Sequence, residues 1–195
     1  DAMIDFSSAV GVEERIDYAI KKQIPLVECS TGLSKEQTDY LLDAGKKVAI
    51  LRSANMSVGV NLLIKLLKEA SQKLASEGFD IEIVEKHHNQ KLDAPSGTAL
   101  ALADAINEAN DEQYEYVYDR SQVRQKRGNK ELGISAVRGG TIVGDHDVIF
   151  AGEDEVVTFS HRAYSRAVFA KGSVVAAKYM KGKGAGLYDM ADVLL

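Results

Sequence analysis

Three short apolar segments separated by two helical stretches fill the first 55 residues, and this alternation constrains the fold more than any other feature of the 195-residue chain. Residues 2–6 read as a strand. Val12, Ile16 and Ile20 then recur every four residues, the spacing of one helical face. Residues 25–29 form a second strand, and Ser34 with Gln37 three positions later predicts a capping box at the start of a second helix. Gly45 is its expected stop, and residues 48–51 are a third strand. Strands joined through helices at this spacing have one economical arrangement, a parallel sheet, because antiparallel neighbours need only a tight turn between them.

The remainder divides in two. Residues 58–75 predict a long amphipathic helix, with Val60, Leu63, Leu67, Ala70 and Leu74 on one side and Lys65, Lys68, Glu69 and Gln72 elsewhere. Gly78 ends it. Residues 79–85 alternate as a strand with Ile81 and Ile83 on one face, and residues 96–110 predict a helix burying Ala99, Leu102, Ala103 and Ile106. From residue 114 to 163 the helical period disappears. Strands are expected at 114–118, 134–138, 148–150 and 156–161, punctuated by Gly139, Gly140, Gly144 and Gly152, which predicts an antiparallel or mixed sheet. A last helix over 165–180 precedes a glycine-rich turn at 182–186, and no internal repeat is visible.

Several function classes find no support. The longest apolar candidate, 58–67, is interrupted by Asn61 and Lys65 and is too short for a membrane span. The first residues, with Asp1, Asp5 and Ser7, do not read as a signal peptide. One cysteine, Cys29, permits no internal disulfide, and a reducing, cytoplasmic setting is expected. The net charge of −5 argues against nucleic acid as a partner. The basic segment Arg120, Arg124, Lys126, Arg127, Lys130 lacks interleaved aromatics and reads as a solvated loop. The four histidines show no metal-ligand helix spacing, so no metal is expected. Cys29 has no local partner and reads as a packed small residue; Ser96 is not in a nucleophile elbow.

Chemistry concentrates in residues 85–99, E-K-H-H-N-Q-K-L-D-A-P-S-G-T-A. Adjacent residues of a strand point to opposite faces, so His87 and His88 cannot both fill a core unless the strand ends there. Lys91 follows in a loop. Pro95-Ser96-Gly97-Thr98 then opens a helix, whose free backbone N–H groups, with Ser and Thr hydroxyls and a glycine allowing close approach, suit an anion. Taken singly, a histidine is more often structural than catalytic, and Ser-Gly-Thr is more often a cap. Their convergence within fifteen residues favours a site for a small carboxylate-bearing molecule.

This stretch resembles the signature of the 4-hydroxy-tetrahydrodipicolinate reductase (dihydrodipicolinate reductase) family. Other segments agree in order: Ile4-Asp5-Phe6-Ser7, Ser30-Thr31-Gly32, the run from Ala54 to Asn61, Arg138-Gly139-Gly140 with Gly144-Asp145-His146, and Gly186-Leu187-Tyr188-Asp189-Met190. The resemblance implies an α/β chain: a partial Rossmann-type parallel sheet from residues 1–57 and 167–195, and an α+β substrate-binding and tetramerisation domain with an open mixed sheet from 58–166. It further implies NADH or NADPH as cofactor, a cyclic dicarboxylate as substrate and a homotetramer. By similarity His87 and Lys91 donate protons; His88, Gly97 and Thr98 hold substrate carboxylates, with Ser96 nearby; and Cys29, Ser30, Thr31, Ser53, Ala54, Asn55 and Met56 border the nicotinamide.

The chain departs from the family pattern in places. The glycine fingerprint and the ribose-reading residue are absent, which predicts that sequence precedes Asp1 and that this chain alone binds cofactor weakly. Cys29 stands where the family has glycine, Met56 where it has phenylalanine, and Asn89-Gln90 where a basic residue is common. The competing readings are a non-catalytic substrate-binding and oligomerising fragment, and another small-dicarboxylate dehydrogenase.

Overall fold

A computed structural model describes residues 1–53, 55–111, 113–121 and 124–194. The elements in chain order are β1 (Met3–Asp5), α1 (Val12–Lys22), β2 (Leu26–Glu28), α2 (Lys35–Ala44), β3 (Ala49–Arg52), α3 (Val58–Ser76), β4 (Asp80–His87) and α4 (Gly97–Ala109). They continue with β5 (Glu115–Val117), β6 (Glu131–Arg138), β7 (Gly144–Ala151), β8 (Val156–Ala163), α5 (Ala167–Tyr179), β9 (Gly186–Tyr188) and α6 (Met190–Val193). Two compact units result: Asp1–Asn61 with Ala167–Leu195, and Leu62–Arg166.

The first unit holds a four-stranded sheet in the order β1-β2-β3-β9, parallel throughout. All three residues of β2 are buried, as a parallel strand covered on both faces requires. Leu26 and Ile50 pack with Val12, Ile16, Ala19 and Leu41 of α1 and α2. Val27, Ala49 and Leu51 pack with Ala176, Met180 and Met190 on the opposite face. The Ser34 capping box forms, its hydroxyl accepting from Gln37 N. Gly45 stops α2 in the right-handed region, at φ −56°. Its lack of a side chain serves packing instead, since a Cβ there would lie 2.6 Å from Leu187.

The expected parallel sheet is therefore present, with one strand more than expected. Gly186, read as the end of a turn, begins β9, and Leu187 aligns with Ile50. A three-residue strand carries too little pattern to be read alone. The short α6 also escaped the sequence reading, although Asp189 and Asp192 form a reciprocal cap there.

The second unit holds a mixed five-stranded sheet, β5-β6-β4-β7-β8. Strands β5, β6 and β4 are parallel; β7 and β8 run antiparallel to the strands beside them. One face buries Ile81, Ile83, Leu132, Ile134, Val148 and Phe150 against Leu63 and Leu67 of α3 and Leu102 and Ile106 of α4. Each such side chain contributes about 1.5–3 kcal/mol when fully buried. The other face presents Val84, Lys86, Asp147 and Ile149, with Lys86 Nζ 2.8 Å from Asp147.

The basic segment is not wholly a solvated loop. Arg127 donates to Asp80 (2.7 Å), to Glu82 (3.0 Å) and to the carbonyl of Ile81 (3.0 Å), and Arg120 pairs with Glu131. These two arginines tie the loop to β4 and β6, while Arg124, Lys126 and Lys130 are exposed. Among the described residues, no helix is long and apolar enough to cross a membrane, and no group of side chains is arranged to hold a metal ion.

Candidate active site

Strand β4 alternates strictly, and its buried positions are Ile81, Ile83, Glu85 and His87. The apolar stripe thus ends in a carboxylate and an imidazole on the same face. A buried carboxylate is costly unless several donors surround it. Glu85 Oε2 is 2.6 Å from His87 Nδ1 and accepts from Arg138 Nη1 at 2.8 Å. Oε1 accepts from Arg138 Nη2 at 2.7 Å and from the backbone N–H of Ser96 at 3.0 Å. Burial alone would push this carboxyl's pKa up. The hydrogen bonds and positive charge of Arg138 and His87 outweigh it and hold the pKa below the ordinary value, so Glu85 is ionised.

Register brings these groups together. Arg138, the last residue of β6, pairs with His87, while His146 of β7 pairs with Glu85. Arg138 Nη2 also donates to Asp93 O at 2.6 Å, holding the loop that precedes α4. The rings of His87 and His146 meet edge to face, with centroids 5.2 Å apart. Burial, followed by the nearby positive charge of His87, pushes the His146 pKa down to about 4 and keeps its ring neutral. Ser96 caps α4 with a hydroxyl that accepts from Ala99 N at 3.1 Å and lies 2.9 Å from His146 Nε2.

The sequence-predicted substrate residues fall around this network. His88 lies just past the strand and lines an open cleft of about 350 Å³ with Asn89, Gln90, Gly140, Thr141 and Arg166. Gly97 is exposed, and a Cβ there would meet nothing within 4 Å, so the start of α4 is open to a ligand. Thr98 is half-buried beside it. Ser96 is buried, with its hydroxyl engaged by Ala99 and His146. Lys91 Nζ is 2.8 Å from Asp93, whose carboxyl it holds below its ordinary pKa.

Sequence reasoning gave no role to Glu85, Arg138 or His146. A signal for Glu85 was present: it lies in phase with Ile81 and Ile83 on the core face of its strand. Arg138 and His146 carried no such signal, because only strand pairing places them beside residues more than fifty positions away.

In the first unit, β2 and β3 end side by side, with Glu28 aligned to Arg52. Cys29, Ser30 and Thr31 leave one carboxyl end, and Ser53, Asn55 and Met56 leave the other; Ala54 lies outside the described residues. Glu28 Oε1 accepts from Ser30 N at 2.7 Å. Ser53 Oγ accepts from Met190 N at 2.8 Å, and Asn61 donates to the carbonyl of Asn55 at 2.7 Å. Met56 is buried, and its carbonyl abuts Gly172 of α5. Burial, then the negative charge of Glu28 and Asp5, pushes the Cys29 thiol up to about 12, so it packs as a small neutral residue.

Comparison with known proteins gives consistent matches along the chain. Residues 1–56 match the family described as dihydrodipicolinate reductase, N-terminus, and residues 59–194 the one described as dihydrodipicolinate reductase, C-terminus. The 4-hydroxy-tetrahydrodipicolinate reductase of Caldanaerobacter subterraneus subsp. tengcongensis is 55% identical over 194 residues, covering 100% of this chain and 76% of that protein. The one from Clostridium tetani is 51% identical over 194 residues, covering 100% and 75%. Among solved structures, a dipicolinate-bound dihydrodipicolinate reductase from Paenisporosarcina sp. TG-14 aligns with a TM-score of 0.76 at 25% identity, covering 100% of this chain and 74% of that one. A probable dehydrogenase from Thermotoga maritima, at 13% identity and a TM-score of 0.60 over 99% of this chain and 73% of that one, shares the fold.

Proposed function

The chain belongs to the dihydrodipicolinate reductase family, and we propose that it serves the NAD(P)H-dependent reduction of 4-hydroxy-tetrahydrodipicolinate to tetrahydrodipicolinate, a step of lysine and diaminopimelate biosynthesis. The observation that carries this reading is His87, buttressed by an ionised buried carboxylate at a strand end, beside the open start of α4. An imidazole and free helix N–H groups within one short segment support the reading of a proton donor beside an anion cradle.

The first unit suits a nicotinamide nucleotide. Ligands of open parallel sheets bind outside the carboxyl ends of the strands, where Cys29, Ser30, Thr31, Ser53, Ala54, Asn55 and Met56 lie in sequence. Among the described residues, Glu28 Oε2 and Ser30 Oγ are buried there without a hydrogen-bond partner of good geometry, an arrangement that suits a polar ligand group. Bound NADH or NADPH would supply the hydride, and the substrate's 4-hydroxyl would leave as water, so that a hydride and a proton enter for each water released. His87 keeps Nδ1 on Glu85, so Nε2 is the atom that exchanges a proton with the ligand. Lys91 exchanges Asp93 for a substrate carboxylate and acts as the second donor. His88, Gly97 and Thr98 orient the carboxylates, and Ser96 holds the helix start that presents them.

The second unit is then the substrate-binding and oligomerising domain of a cytoplasmic homotetramer. The test is a nicotinamide-absorbance assay of the full-length protein carrying this sequence, with 4-hydroxy-tetrahydrodipicolinate and each coenzyme in turn. Substrate-dependent oxidation of NADH or NADPH is expected. No turnover with either coenzyme, from protein that is folded and binds one of them, would refute the reading.

A further inference from the structure

We infer that Glu85 is a positioning residue for the reaction, fixing His87 in the tautomer that carries its proton on Nδ1 and leaves Nε2 to face the substrate. The inference builds on the proposed role of His87 and adds residues outside the sequence-predicted site. The two oxygens of Glu85 receive four contacts: Arg138 Nη1 and His87 Nδ1 on Oε2, Arg138 Nη2 and Ser96 N on Oε1. An ionised carboxylate has no hydrogen to give, so His87 Nδ1 must be the donor at 2.6 Å. In a neutral ring the lone pair then lies on Nε2, and in the cation the transferable proton does.

Two neighbours complete the arrangement. Gly144 of β7 leaves room beside Nε2, since a Cβ at that position would stand 3.0 Å from it. His146, edge-on at 5.2 Å, is held neutral by burial, so a protonated His87 meets no second imidazolium. Arg138 alone could satisfy Glu85 as a structural ion pair. That account leaves unexplained why the carboxylate also reaches the ring of His87 and the N–H of Ser96, the residue that caps the helix of the proposed anion cradle. One buried group thus sets the proton donor and the substrate cradle in a common frame.

The decisive experiment is nitrogen-15 NMR of the histidine side chains in the full-length enzyme, paired with steady-state kinetics. Wild-type His87 should show Nδ1 protonated and Nε2 unprotonated in its neutral form. Glu85→Gln, whose amide can donate as well as accept, should show a mixture of tautomers. Its kcat should fall by about 10²-fold with KM changed far less, because orientation of the acid is lost while the binding groups remain. An Nε2–H tautomer in the wild type overturns the inference, and this readout needs no variant to fold. A folded Glu85→Gln enzyme with wild-type tautomer and kcat overturns it equally. Full kcat in His87→Gln would instead remove the role proposed for His87, leaving the tautomer result to stand by itself.

Discussion

Ser96 Oγ lies 2.9 Å from His146 Nε2, joining the start of α4 to the middle of the mixed sheet across fifty positions of sequence. Because the hydroxyl oxygen already accepts from Ala99 N, its hydrogen is available to the imidazole, which must be neutral to receive it.

Stability should therefore fall on acidification before the carboxylates titrate. The folded pKa of His146 is depressed to about 4 from an ordinary 6.5, so the unfolded chain takes up the proton first. The stability it contributes is complete above pH 6.5 and is lost as the pH falls towards 4, to a limit on the order of 3 kcal/mol. Half-buried His161, opposite His146 on β8, is also depressed by burial and adds in the same direction. Glu85, whose pKa is lowered, adds its own loss only below its unfolded value of about 4.5. Denaturant midpoints measured across this range should slope more steeply for the wild type than for His146→Gln; parallel curves would refute the assignment.

Ser96→Ala should be costlier than the loss of a surface cap. It removes the N-cap of α4 and leaves His146 Nε2 buried without its partner. The two effects together amount to about 2–4 kcal/mol. Chemical denaturation at neutral pH measures the change, and a loss under about 0.5 kcal/mol would show that the hydroxyl is not used as described.

The proposed division of labour in residues 87–98 is a kinetic one. His87→Gln and Lys91→Ala should lower kcat by about 10²–10⁴-fold, since each removes a positioned acid. His88→Gln and Thr98→Val should chiefly raise KM, because they remove carboxylate contacts and no transferable proton. Steady-state kinetics of the four variants in the full-length enzyme decide this. Full kcat in His87→Gln over the neutral range would move the acid role to Lys91 or to water.

Gly172→Ala should destabilise the first unit. A Cβ at this position of α5 would run into the carbonyl oxygen of Met56, a backbone atom that cannot rotate away. Overpacking of this kind costs about 1–3 kcal/mol. Thermal or denaturant unfolding reads it directly, and the turn proposed to border the nicotinamide should shift with it, weakening coenzyme binding in the same variant.

The uncovered face of the mixed sheet should be the tetramer interface. Among the described residues it exposes Val137 and Val156, at 46% and 62% accessibility, beside Val84 and Ile149. Light scattering at micromolar concentration should give four subunits, and Val137→Lys with Val156→Lys should lower the mass. A monomeric wild type would count against the proposal.

Some of this protein was settled by local sequence. Val12 and Ile16 at helical spacing, followed by the apolar strand at Leu26, could be satisfied only by a helix folded back over a parallel sheet. The Ser34–Gln37 cap is a contact between residues three apart, so it too was legible. The proposed proton donors and anion cradle were legible because they occupy one short stretch, whereas the surroundings of His87 were not. Arg138 reaches Glu85 and His146 comes to lie opposite it through the parallel register of β6 and the antiparallel register of β7. Local spacing does not encode which strand pairs with which, and a slip of one residue would turn either side chain to the opposite face of the sheet. Gly45 and Leu187 make the same point on a smaller scale: a glycine expected to end a helix is also the gap into which a distant leucine packs. Composition and periodicity selected the elements, but the carboxylate that orients the imidazole acquired its partners only when long-range pairing closed the sheet around it.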